Sequence, residues 1–407
     1  MEKPVTTPGR HRRTMAATAV LLGGVLTLSA CGGGGSDSSK SEMGGKKESE
    51  ARIKIASKDG SDGASINNGG QVTVSKGKLT GVTMETAKGG DKVEGELAGD
   101  GKSWKPKEQL ERATQYKITA TAKDGEGRKA VENSTFTTVS PSNSFIGTYA
   151  GEDGQTVGVG MPVSITFDKA IEDKKAVQQA IKVSSTSGQE VVGHWFDGQR
   201  LDFRPKDYWK PGSKVTLDLK LDGVKGGKNL TGVQDKKVTF NIGRKQISKV
   251  DVKNSKMTVE RDGKTLKTIP ISAGSAKNPT YNGKMVISEK HKETRMDGQT
   301  VGFGRKGEGY DIPDVPHAMR LSTSGTFIHG NYWGAPFGSG NTSHGCVGLK
   351  DDRGAGSTST DGGWFYENSL VGDIVDVEGS PDKTVQPNNG LNGWNMDWQQ
   401  WKAGSAI

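Results

Sequence analysis

Cysteine, aromatic side chains and apolar runs are what this sequence has least of: two Cys in 407 residues, 6% aromatics and 31% hydrophobic residues. So little apolar material disfavours a helical bundle and a membrane-spanning protein. The longest apolar stretch, Met15 to Ala30, is too short to cross a bilayer comfortably. No concentrated basic stripe with interleaved aromatics occurs, which excludes a nucleic-acid surface as a partner. With only Cys31 and Cys346 present, a framework of disulfides is excluded too.

What is abundant is glycine, 60 residues of it, with short alternating strands between Gly, Asp and Asn turns. The chain is too long for one ordinary core and is expected to be mainly β, in several units. Arg10, Arg12 and Arg13 precede the apolar stretch as the basic region of a leader over residues 1–30, and Arg12-Arg13 also suits twin-arginine export. The leader ends in Leu28-Ser29-Ala30-Cys31, which resembles a bacterial lipobox and implies a diacylglycerol anchor on Cys31. Residues 31–50, rich in Gly, Ser and charge, read as a flexible tether. The expected location is therefore outside the cytoplasm, held to the membrane through Cys31 and facing the wall. Formal net charge is +9, and without residues 1–30 (Lys3, Arg10, Arg12 and Arg13 against Glu2) about +6 remains. These charges are interspersed, as on a solvated surface with mild attraction to anionic partners.

Residues 51–142 and 143–244 share a weak repeat. Trp104-Lys105-Pro106-Lys107 is echoed by Phe203-Arg204-Pro205-Lys206, and Thr135-Phe136-Thr137-Thr138 by Val238-Thr239-Phe240-Asn241. Two strand-rich units of this size suit tandem immunoglobulin-like sandwiches that space and orient the rest of the chain. A third unit spans 245–380. It opens with hairpin signals at Asn254-Ser255 and Asp262-Gly263 and holds one helical candidate, Trp364 to Leu370. The stretch 381–407 carries Trp394, Trp398 and Trp401, which are costly to leave in water, and is expected to pack back on the third unit.

If Cys31 carries lipid, Cys346 is an unpaired thiol in an oxidising compartment, a liability unless it is buried or used chemically. A nucleophilic thiol needs a base, a group to orient the base, and donors for an oxyanion. Phe327-Ile328 reads as a strand end delivering His329, and Ser343-His344-Gly345-Cys346 follows after a polar loop. Gly345 permits close backbone approach beside the thiol. Of the other histidines, His11 falls in the leader, His194 and His291 are expected to be solvated, and His317 is expected to be a wall residue. His329, His344 and Cys346 are a weak candidate zinc set. Gly302 to Gly307 has dinucleotide-loop spacing but no strand–helix unit around it.

A His fourteen positions before Ser-His-Gly-Cys resembles the active site of the L,D-transpeptidases, whose catalytic module is the YkuD domain; the resemblance covers roughly residues 245–380. It implies Cys346 as nucleophile and His329 as general base, with the Gly330 carbonyl holding the imidazole tautomer. Backbone N–H groups of His344, Gly345 and Cys346 would form the oxyanion hole and Ser343 would order the loop. Met296, Tyr310 and Trp333 would line the substrate cleft under a lid. The implied reaction needs no cofactor or metal. It passes a tetrapeptide stem of peptidoglycan from the terminal D-Ala to an amine of a second stem, a 3→3 cross-link. Water as acceptor would make an L,D-carboxypeptidase, and an idle thiol a wall-binding lipoprotein. Carbapenem-type β-lactams are the implied covalent inhibitors. One position departs from the pattern: Gly348 stands where many relatives have Asn or Arg two residues after the Cys.

Overall fold

The structure is a computed structural model, and it describes residues 47–302 and 309–407. The leader, Cys31, most of the tether, and Phe303 to Gly307 of the glycine-rich motif lie outside the described residues. Alternation of apolar and polar residues is the main reason for each strand. In Gln115–Lys123, Tyr116, Ile118, Ala120 and Ala122 face inward while the residues between them are largely exposed.

Over the first hundred described residues, the strands Arg52–Ile55, Val72–Ser75, Ser103–Pro106 and Gly95–Leu97 form one sheet. Ser61–Ala64, Lys129–Thr138, Gln115–Lys123 and Lys78–Thr86 form another, with Val72, Trp104, Ile118 and Phe136 in the shared core. The next hundred repeat the plan. One sheet runs Gly147–Tyr149, Val163–Phe167, Arg200–Pro205, Val191–Trp195, and the other runs Thr156–Val157, Asp235–Ile242, Lys214–Lys220, Ile181–Ser185. The sequence echo has a structural meaning. Trp104 pairs opposite Val72 and Phe203 opposite Val163, each an aromatic on the inner neighbour of an apolar strand.

The remaining unit is a nine-stranded sheet. Its order is Gly283–Val286, Ile374–Glu378, Gln246–Asp251, Lys256–Arg261, Lys264–Ser272, Val347–Lys350, Phe327–Asn331, Asp311–Arg320, Glu289–Asp297. The expected hairpins are present. Asp262 and Gly263, at φ of 51° and 81°, make the tight left-handed turn between two of the strands. Strand Lys264–Ser272 joins the two halves of the sheet: most of it pairs with Lys256–Arg261, whereas Ile271 and Ser272 pair with Leu349 and Gly348. Strands Phe327–Asn331 and Val347–Lys350 are parallel, with His329 opposite Gly348. A parallel pair needs a crossover longer than a hairpin turn. The polar loop between His329 and Ser343 provides it.

Three expectations change. The helix is Asp361–Asn368 rather than Trp364 to Leu370, because the Thr360 hydroxyl accepts the Gly363 N–H and caps it earlier, while Ser369 is extended. His194 is buried rather than solvated: its Nδ1 lies 2.8 Å from the Trp401 carbonyl, and its ring stacks on Trp401. The C-terminal stretch packs on two units, not one. Asn392 and Asn395 accept the N–H groups of Val286 and Lys284 in the nine-stranded sheet. Trp394 donates to Gly160 and Trp401 to Val192, both in the preceding sandwich. Arg204 lies over the rings of Trp394, Trp398 and Trp401, so the three tryptophans gather around a buried guanidinium. Among the described residues, no helix is long and apolar enough to cross a membrane.

Candidate active site

Parallel pairing brings the two ends of the motif together. Ile328 lies opposite Val347, so Cys346, one residue earlier, arrives beside Phe327, whose N–H points at Sγ at 3.4 Å. The thiol is buried and directed at the Gly325 carbonyl, 3.6 Å away. Burial pushes the Cys346 pKa from 9.0 up to about 11, opposed in part by the Phe327 N–H. At neutral pH the resting sulfur is therefore a thiol.

His329 is also buried, and its ring Nδ1 lies 2.8 Å from the Gly330 carbonyl. A carbonyl only accepts, so Nδ1 carries the proton and Nε2 keeps its lone pair. Burial lowers the pKa of His329, while the Gly330 carbonyl and the charge of Asp351 act the other way. Gly330 cannot carry a side chain, since a Cβ there would stand 2.0 Å from Asp351 Oδ2. That carboxylate takes the Nδ1 of buried His317 at 2.7 Å and the Thr360 hydroxyl at 2.6 Å. His317, expected as a wall residue, is not among the residues lining the cavity; it lies buried with Asp351 as a partner that sequence reasoning missed.

Cys346 and His329 line one cavity of about 310 Å³, together with Ser343, His344, Met296, Tyr310 and Trp333. Tyr310 and His344 bring their ring centres to 5.1 Å, and Trp333 stacks over His329 at 5.8 Å. Burial pushes the Tyr310 hydroxyl up to about 12, so it stays protonated. Ser343 Oγ donates to the Cys346 carbonyl at 2.5 Å and accepts the Gly345 N–H at 3.1 Å. These two bonds close the loop around the thiol. They also engage the Gly345 N–H, which removes it from the three oxyanion donors expected there. Gly345 itself has a φ of 112°, a region side chains avoid, although a Cβ there would meet nothing nearer than the Pro279 carbonyl at 3.7 Å. Among the described residues, no group of three or more His, Cys, Asp or Glu side chains is placed to hold a metal.

Asn331 and Ser272 also line the cavity and were not anticipated. The signal for Asn331 was available: two residues beyond His329 on a strand, it emerges on the same face.

The family model for the L,D-transpeptidase catalytic domain matches residues 245–377, and that for a bacterial Ig domain matches 61–225. L,D-transpeptidase 2 of Mycobacterium tuberculosis is 34% identical over 350 residues, covering 86% of this chain and 83% of that protein. The chain belongs to the L,D-transpeptidase family. L,D-transpeptidase 5 of the same species is 31% identical over 332 residues, covering 79% of this chain and 70% of that protein. Among solved structures, the L,D-transpeptidase from Mycobacterium smegmatis is similar at 27% identity and a TM-score of 0.45, over 57% of this chain and 100% of that one. The LD transpeptidase LdtMt1 in complex with imipenem gives 27% identity and a TM-score of 0.48, over 57% and 97%. As an L,D-transpeptidase the chain joins an Ig-like segment to a YkuD catalytic unit in a mainly β fold.

Proposed function

We propose that this L,D-transpeptidase forms 3→3 cross-links between peptidoglycan stems by acyl transfer through Cys346. One observation carries the reading. The Gly330 carbonyl holds the His329 proton on Nδ1, which leaves Nε2 with a free lone pair, and His329 and Cys346 line the same cavity. His329 takes the thiol proton as sulfur attacks the carbonyl linking residue three of a tetrapeptide stem to its terminal D-Ala. The oxyanion forms beside the loop Ser343–Cys346. The C–N bond breaks, the D-Ala amine leaves with the proton from His329, and a thioester remains on Cys346. The side-chain amine of a second stem then attacks the thioester, giving its proton to His329 while the sulfur departs and is reprotonated. Each step draws only on the chain's own groups. Met296, Tyr310 and Trp333 wall the cleft that takes the stem.

The resting thiol, protonated and bonded to Gly325, is reactive only when substrate replaces that environment. Slow reaction with an alkylating reagent is therefore compatible with full activity and does not distinguish an idle thiol. A carbapenem does. Wild type should gain one covalent adduct at Cys346, and Cys346→Ala none; an unmodified wild-type mass after prolonged incubation counts against the assignment. With tetrapeptide stems, cross-linked dimers are expected, whereas tripeptides alone would make the chain an L,D-carboxypeptidase.

We place the enzyme on the outer face of the membrane, tethered by lipid on Cys31. The lipobox-like Leu28-Ser29-Ala30-Cys31 and the glycine-rich run after it support this. Cys31→Ser should release the chain from the membrane fraction, and its retention there would argue for another anchor.

A further inference from the structure

The cavity beside Cys346 holds a hydrogen-bond donor that the acyl-transfer steps leave unused. Asn331 lines it from the same strand face as His329 and is 8% exposed. Its Oδ1 accepts the Gly334 N–H at 2.9 Å, which fixes the orientation of the amide. Nδ2 consequently lies on the other side, toward Gly348, and no acceptor among the described residues takes it. Because Asn331 lines the cavity, this donor is open to an acceptor that enters it.

Gly348 sits on the adjoining strand, opposite His329. A Cβ built there would stand 3.4 Å from the Ser272 carbonyl, 3.7 Å from Asn331 Nδ2 and 3.8 Å from Asn331 Cβ. Those are ordinary contacts, and φ at Gly348 is not left-handed. Neither crowding nor backbone conformation requires glycine at 348. What glycine does is leave the space beside the Asn331 amide open to the cavity. The two positions behave as one: an amide supplied from the strand of the base occupies the neighbourhood where a side chain at 348 would project.

We propose that Asn331 is the substrate-orienting donor of this site, its Nδ2–H bonding an acceptor oxygen of the donor stem next to the scissile carbonyl. The assignment rests on the acyl-transfer reading of Cys346 and His329. It explains how the site tolerates Gly348 with no loss of a polar handle on the stem. It also gives Trp333 and Gly334 a role, because the turn they form fixes the amide through the Gly334 N–H.

The test is kinetic, on the full mature chain with a tetrapeptide donor. Asn331→Asp keeps the shape and the oxygen that accepts from Gly334 but replaces the donor, so a purely structural role would survive it. We expect kcat/KM to fall about tenfold to a hundredfold, with most of the loss in KM. Asn331→Ala should fall similarly, and adding Gly348→Asn to it should recover much of the loss by returning an amide to the same space. Wild-type kcat/KM in Asn331→Asp overturns the assignment, as does a double variant no better than Asn331→Ala. A wild type that forms no thioacyl adduct overturns the acyl-transfer reading itself, and this assignment with it.

Discussion

His317 Nδ1 lies 2.7 Å from Asp351 Oδ2, with both side chains almost wholly buried directly behind the strand that carries His329. The same carboxylate lies against Gly330 and Gly362, where a Cβ on either residue would fall within about 2 Å of it. A charge so enclosed supports the strand that carries His329 and acts electrostatically on that residue.

Asp351→Ala should therefore destabilise the protein by on the order of 3 kcal/mol, since it leaves His317 and the Thr360 hydroxyl buried without their partner. Thermal unfolding reads this as a fall of several degrees in Tm. Asp351→Asn keeps the volume and removes the charge. Losing a negative charge lowers the His329 pKa further, so the acid limb of kcat/KM should move to lower pH. An unmoved limb would mean that the carboxylate has only a packing role.

The pKa of Cys346, pushed up to about 11, sets the pH behaviour of the resting thiol. Alkylation by iodoacetamide should be slow at pH 7 and rise about tenfold per pH unit toward pH 11, because only the thiolate reacts. Peptide mass mapping over pH checks this, and a plateau near pH 8 would contradict it. Stability carries the same signature. The folded state holds this proton more tightly than the unfolded chain, so the contribution is complete below about pH 9 and is lost as pH rises through about 11. Cys346→Ala should flatten the fall of Tm across that window.

Gly345→Ala should lower kcat/KM about a hundredfold, since the loop must shift to relieve a φ of 112° and misplaces the thiol. Tm should fall by a few degrees from this backbone strain of about 1–3 kcal/mol alone, because a Cβ at this position would meet only ordinary contacts. Wild-type turnover in this variant would show that the loop's conformation is not part of the chemistry.

Trp401 is fully buried between His194 and the Arg204 guanidinium. Trp401→Ala should destabilise by about 3–5 kcal/mol and expose residues after Pro381 to proteolysis. Limited digestion followed by mass spectrometry would locate the cuts; unchanged resistance would mean that the remaining contacts, among them those of Asn392, Trp394 and Asn395, hold the extension.

Much of this protein was legible in the sequence where the signal is local. Alternation in Gln115–Lys123 and the Asp262-Gly263 turn each depend on neighbouring residues only, and both appear as expected. Cysteine scarcity pointed to Cys346, and its spacing from His329 pointed to the family. Two of the failures were contacts between distant segments, and a third was a local loop bond. His194 looked solvated because nothing near it in sequence reveals Trp401, 207 positions away, as its partner. The tryptophans of the tail announced burial, yet not against which units. The Gly345 N–H counted as an oxyanion donor until its bond to Ser343 was seen.

The sequence by itself determined the β character, the repeat, and the residue types of the site, because strand periodicity and motif spacing are properties of short stretches of chain. Only the tertiary structure decided that a parallel pairing sets Phe327 beside Cys346 and His329 beside Gly348. Register between strands depends on packing across the whole sheet, which no short segment encodes. That register is what turns Gly348 from a missing side chain into the space that Asn331 faces.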